Sequence, residues 1–123
     1  MIDVGGRRVL VVDDERDIRF MLKTMLEAFG ERVVGEAADG CEAVELARDL
    51  QPEVVVLDLM MPVCDGFRAL PHLVEVTPSA RIVVCTAKHL EPGEEQELRD
   101  GGAFEVVLKG TTLTRRLVEA LAA

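Results

Sequence analysis

Four short apolar runs each end on a polar side chain able to do chemistry. Val9-Leu10-Val11-Val12 gives way to Asp13 and Asp14, and Val54-Val55-Val56-Leu57 to Asp58. Ile82-Val83-Val84-Cys85 is followed by Thr86, and Val106-Val107-Leu108 by Lys109. Three carboxylates make a hard oxygen site suited to magnesium, which keeps several waters and favours one or two carboxylates plus phosphate. A lysine and a hydroxyl beside them could hold an anionic group that the metal also touches. Singly, each residue has an ordinary reading. Asp13-Asp14-Glu15 serves equally as a helix-start cap favoured by the helix dipole, and Asp58 could be another. Thr86 alone is a strand residue, Lys109 a surface charge, and Pro62 and Gly66 turn punctuation. Their coincidence after four apolar runs is what the ordinary readings do not explain.

Bringing these groups together requires the runs to be strands that point the same way. Their β-branched residues are continuous rather than alternating, the pattern of strands covered on both faces. A weaker run lies at Val33-Val34. Between the runs, Ile18, Leu22, Met25, Leu26 and Phe29 repeat at helical spacing, and Gly30 supplies the helix end. Asp39 followed by Glu42 resembles a capping box, opening a helix with Ala43, Val44, Ala47 and Leu50 on one side. Leu113, Leu117 and Leu121 mark a last helix, with Thr112 as its cap. The expectation is an α/β fold: five rounds of strand then helix, with helices on both faces of a five-stranded parallel sheet and right-handed crossovers. All the polar groups then share the carboxyl edge, where ligands of open α/β sheets bind as strand order reverses.

Two segments fit less well. Pro71 lies inside Phe67 to Val76, where a third helix belongs, and should shorten or kink it. Leu90 to Leu98 has almost no apolar periodicity, so a fourth helix there is expected to be short, exposed and mobile. There is no internal repeat, low-complexity segment or linker, and the expectation is one domain over residues 1–123.

Composition narrows the function classes. Of 123 residues, 49% are hydrophobic and 30% charged, a globular balance that excludes a disordered tail or a disulfide miniprotein. The 23 acidic against 14 basic residues leave a net charge of −9, which opposes phosphate backbones and argues against direct nucleic-acid binding. No apolar run is long enough for a membrane helix, and Met1 to Arg8 lacks the apolar stretch of a signal peptide. Cys41, Cys64 and Cys85 have no metal-ligand spacing and read as reduced thiols of a cytoplasmic protein. Cys64 and Cys85 are taken as structural. His72 and His89 read as surface residues rather than ligands.

The motifs also resemble a family. Asp13-Asp14-Glu15 after the first strand, Asp58-Leu59-Met60-Met61-Pro62-Val63-Cys64-Asp65-Gly66 after the third, Thr86-Ala87 after the fourth and Lys109 after the fifth are similar to the receiver domain of bacterial two-component response regulators. The resemblance runs from about Arg8 to the last helix. It implies a flavodoxin-like (βα)5 receiver fold with strand order 2-1-3-4-5, and a phosphoacceptor switch rather than an enzyme. It implies further that Asp58 takes the phosphoryl group from a kinase phosphohistidine. Asp14, Asp58 and the carbonyl of Met60 would ligate Mg2+, with Asp13 reaching it through water. Lys109 would pair with the phosphoryl oxygens, and Thr86 would donate its hydroxyl to one of them. The partners implied are a sensor histidine kinase or histidine phosphotransfer domain, an output domain or downstream protein, and a second copy in a phosphorylation-dependent dimer.

The sequence departs from the family pattern on one side. Val106 stands where receivers usually carry an aromatic residue, and Gly110 where a proline usually follows the lysine. Both bear on the output face and not on the phosphorylation site. Two other classes compete. A magnesium-dependent phosphohydrolase using Asp58 would want a second aspartate two residues later, where Met60 stands. A flavodoxin-like nucleotide binder would want a Ser/Thr/Gly-rich loop in place of Asp13-Asp14-Glu15.

Overall fold

The computed structural model describes residues 6–110 and 113–122. The proposed Thr112 cap and the residues before Gly6 lie outside the described residues. Among the described residues five strands and five helices alternate: β1 (Arg8–Val12), α1 (Arg16–Ala28), β2 (Arg32–Ala37), α2 (Gly40–Leu50), β3 (Val54–Leu57), α3 (Gly66–Val76), β4 (Arg81–Thr86), α4 (Glu94–Asp100), β5 (Ala103–Leu108) and α5 (Leu113–Ala122). The strands form one sheet in the order β2-β1-β3-β4-β5. Every neighbouring pair is parallel. The chain leaves β1 to one side for β2 and returns to the other side for β3, so the order reverses between β1 and β3.

The continuous apolar runs are explained by cover on both faces. Alternate strand residues point to opposite sides. Leu10, Val12, Val55, Leu57, Ile82 and Val84 meet Ala43 and Ala47 of α2, Leu70 and Leu73 of α3 and Leu98 of α4. Val9, Val11, Val54, Val56, Val83 and Cys85 meet Leu22 and Leu26 of α1 and Leu117 and Leu121 of α5. β2 is an edge strand, buried fully only at Ala37, which is why its apolar run is short.

The helix signals hold with three adjustments. Asp39 caps α2 by accepting from Glu42 N at 2.9 Å, and the Glu42 carboxylate accepts from Ala38 N at 2.7 Å, one residue earlier than in a strict capping box. Phe29, expected on the buried stripe of α1, is 56% exposed, because α1 ends at Ala28 and Phe29 is its cap. Pro71 does not shorten α3, which runs on to Val76. One missing amide on the exposed side is outweighed by Ala69, Leu70 and Leu73, which bury the opposite side. α4 is short as expected, and Leu98 is its one buried residue.

Candidate functional site

The strand ladders carry the polar groups one step past the strands. Asp13 N donates to Ala37 O at 3.0 Å, Asp58 N to Val12 O at 3.0 Å, and Lys109 N to Thr86 O at 2.8 Å. Each side chain is thereby fixed at the carboxyl edge by the backbone bonds that hold the sheet. The edge lies where strand order reverses, the usual ligand position in open α/β sheets.

Asp13, Asp14 and Asp58 converge there, each offering a carboxylate oxygen within 4.8 Å of the others. Asp13 and Asp58 are buried and Asp14 is exposed. Lys109 spans the first and third, its ammonium 2.6 Å from Asp13 Oδ2 and 3.7 Å from Asp58 Oδ2. The second Asp13 oxygen accepts from Glu15 N at 2.9 Å. Asp14 has no polar partner among the described residues. Oxygens around an octahedral magnesium at about 2.1 Å stand roughly 3 to 4 Å apart, so the cluster is of the right size and chemistry.

Burial raises the Asp58 carboxyl to about 6; Lys109 works against this, Asp13 adds to it, and the amides of Met60 and Leu59 hydrogen-bond the carboxylate and lower it. Burial opposes the Lys109 charge, but the hydrogen bond to Asp13 and the charge of Asp58 outweigh it, and its pKa is raised. Thr86, fully buried, ends β4, and its hydroxyl oxygen accepts from Lys88 N at 3.0 Å. The hydroxyl proton is left to point elsewhere. Gly66 is required by contact: a Cβ there would sit 2.2 Å from Asp58 O, so the loop closes beneath the aspartate only with glycine.

Of the residues singled out in the sequence, Asp13, Asp14, Asp58 and Lys109 therefore meet directly. Thr86 joins them through the backbone of Lys109. Met60 is 57% exposed, and it is its backbone amide that hydrogen-bonds Asp58. Residue types gave no sign of the Leu59 and Met60 amides, nor of Lys88 N on Thr86 or the Arg19 guanidinium on Asp13 O at 2.7 Å. Cys85 lies beneath the site within the influence of Lys109, Asp58 and Asp13, but burial dominates and pushes its thiol up to about 12, in keeping with a structural role. Cys64 is only partly buried and adjoins Cys41.

Residues 9–122 match the family model of the response regulator receiver domain. The chain belongs to that family. Over 116 residues it is 37% identical to a chemotaxis protein CheY of Thermotoga maritima, covering 94% of this chain and 95% of that one. It is 43% identical over 125 residues to a protein-glutamate methylesterase/protein-glutamine glutaminase of Myxococcus xanthus, covering 97% of this chain but 35% of the relative. The solved response regulator domain of Thermotoga maritima CheB superposes with a TM-score of 0.83 at 31% identity, covering 95% and 94% of the two chains. The receiver fold, with its strand order, is thus present in full, and the role is that of a receiver in two-component signalling. Receivers bind Mg2+ in an acidic pocket and work with kinases and output domains, and this receiver carries such a pocket.

Proposed function

We propose that Asp58 is the phosphoacceptor of this receiver and that Asp13, Asp14, Thr86 and Lys109 serve its phosphorylation. The observation that carries the reading is the meeting of Asp58 with two further carboxylates and the Lys109 ammonium at the carboxyl edge of β3. A carboxylate oxygen of Asp58 attacks the phosphorus of a kinase or phosphotransfer-domain phosphohistidine. The bond to the imidazole nitrogen breaks, a carboxyl-phosphate forms, and the imidazole takes up a proton from water. Such transfer needs positioning and charge neutralisation more than covalent help. Lys109 turns from Asp13 toward the phosphoryl oxygens, and the Thr86 hydroxyl donates to one of them. Asp14, Asp58 and the Met60 carbonyl would hold Mg2+, with Asp13, already bonded to Lys109 and Glu15 N, acting through water. Bound there, the ion supplies positive charge to the phosphoryl oxygens.

On this reading residues 1–123 form a single receiver domain that catalyses only its own phosphorylation and dephosphorylation. It acts in the cytoplasm, where its kinase is read and its output domain, downstream protein or second copy is engaged. Among the described residues no helix is long and apolar enough to cross a membrane. Incubation with a small phosphodonor and magnesium should add one alkali-labile phosphate per chain, and chelating the metal should stop it. Asp58→Asn should take up none while remaining folded. Phosphate on a serine or threonine would overturn the assignment.

A further inference from the structure

Cys41 and Cys64 are 23 positions apart in sequence, yet adjacent in the fold. Cys41 is exposed in the first turn of α2, and Cys64 is partly exposed in the loop between β3 and α3. The two backbones are tied next to the thiols, with Gly40 N donating to Cys64 O at 2.7 Å. The approach is closed to anything larger than glycine, since a Cβ on Gly40 would lie 2.8 Å from Cys64 O and 2.8 Å from the Ala69 Cβ. Both cysteines open onto the same cleft of ≈ 380 Å³ between α2 and α3, which Arg68 and His72 also line. Solvent and small oxidants can therefore reach the pair.

We propose that Cys41 and Cys64 are a redox modification site, forming a reversible disulfide that fastens the loop after β3 to the start of α2. The oxidant it calls for is a peroxide. The Cys41 sulfur, the more exposed, attacks one peroxide oxygen and becomes a sulfenic acid, and the other oxygen leaves as water with the thiol proton. The Cys64 sulfur then attacks the Cys41 sulfur, and the sulfenic oxygen departs as a second water. Two thiols and one hydrogen peroxide thus give one disulfide and two waters. A dithiol reductant reverses the step by exchange.

The order of events follows from the surroundings. The neighbouring Cys41 thiol, then burial, raise the Cys64 thiol, with Asp39 and Asp65 pushing the same way. Cys64 is also the less exposed of the two, so a peroxide meets Cys41 first. Cys41, once oxidised, presents its sulfur to the Cys64 thiol at the cleft that both line. Cys85, buried under the sheet edge, takes no part.

Thiol titration and peptide mapping of the whole chain test this. In the native reduced protein two thiols should react and the third only after denaturation. One equivalent of hydrogen peroxide should remove both reactive thiols, lower the mass by about 2 Da for two hydrogens lost, and yield one peptide pair joined through Cys41 and Cys64. Dithiothreitol should restore both thiols. Cys41→Ser and Cys64→Ser should each abolish the pair, with continued protection of Cys85 showing that the variants are folded. Oxidation that stops at a Cys41 sulfinic acid, joins two chains, or leaves both thiols free would overturn the proposal. None of these readouts depends on phosphorylation, so they stand or fall apart from the assignment of Asp58.

Discussion

Burial is the largest influence on the Asp58 carboxyl, lifting it from 3.8 to about 6 in spite of Lys109. A carboxyl raised on folding gives stability that is full below its unfolded pKa and is lost as pH rises through its folded one. For Asp58 the window runs from about pH 4 to about pH 6, and the difference amounts to roughly 3 kcal/mol of destabilisation at neutral pH. Asp58→Asn should therefore be more stable than the parent in metal-free buffer at pH 7.5, by about 1 to 3 kcal/mol, and the gain should vanish near pH 4. Urea unfolding at the two pH values measures it. A less stable variant at pH 7.5 would mean that the carboxylate is favourably held and the electrostatic account wrong. At this scale the sequence was readable wherever chemistry resides in a side chain: Asp13, Asp14, Asp58, Thr86 and Lys109. It was silent where a backbone amide does the work, as Leu59 and Met60 do on Asp58. The nearness of Cys41 to Cys64 was hidden too, because it depends on how α2 and α3 pack.

Elements were legible in proportion to what they bury. α1 and α5 declare themselves through Leu22, Leu26, Leu117 and Leu121, and β1, β3 and β4 through runs covered on both faces. β2 is half-buried at the edge and α4 buries only Leu98, so their patterns were faint. Pro71 misled because a strong local rule met a helix already secured on its other side. Strand order is not written in periodicity at all and came from the family motifs. α4 is held mainly by polar contacts, with Lys88 on Glu94 at 2.9 Å and Arg99 between Glu95 and Glu105. Such surface pairs contribute little, and an element with one buried anchor opens readily. Val106, buried in the sheet, has no ring to swing and a restricted rotamer choice. Loading with beryllofluoride and magnesium should change hydrogen exchange mainly between Thr86 and Gly102, with little change around Val106. Changes confined to α1, α2 and α3 would place the output face elsewhere.

The molecule as a whole carries a net charge of −9, and part of that repulsion is concentrated at the carboxyl edge of the sheet. Two like charges about 4 Å apart repel by about 4 kcal/mol at an effective dielectric of 20. Lys109 offsets some of this, and a divalent cation would offset more and stabilise the folded chain by mass action. Thermal melts at fixed ionic strength should move upward with millimolar magnesium, and Asp14→Ala should abolish the difference. An unchanged melting temperature in the parent would count against a metal site. In the proposed function one carboxylate, that of Asp58, receives the phosphoryl group. Borohydride reduces an acyl phosphate to an alcohol and leaves a free carboxylate untouched, so treating the phosphodonor-labelled chain and sequencing its peptides locates the phosphate directly. Homoserine is expected at position 58 and at no other aspartate; homoserine at Asp13 or Asp14, or aspartate intact at 58 in a fully labelled chain, would overturn the assignment of Asp58.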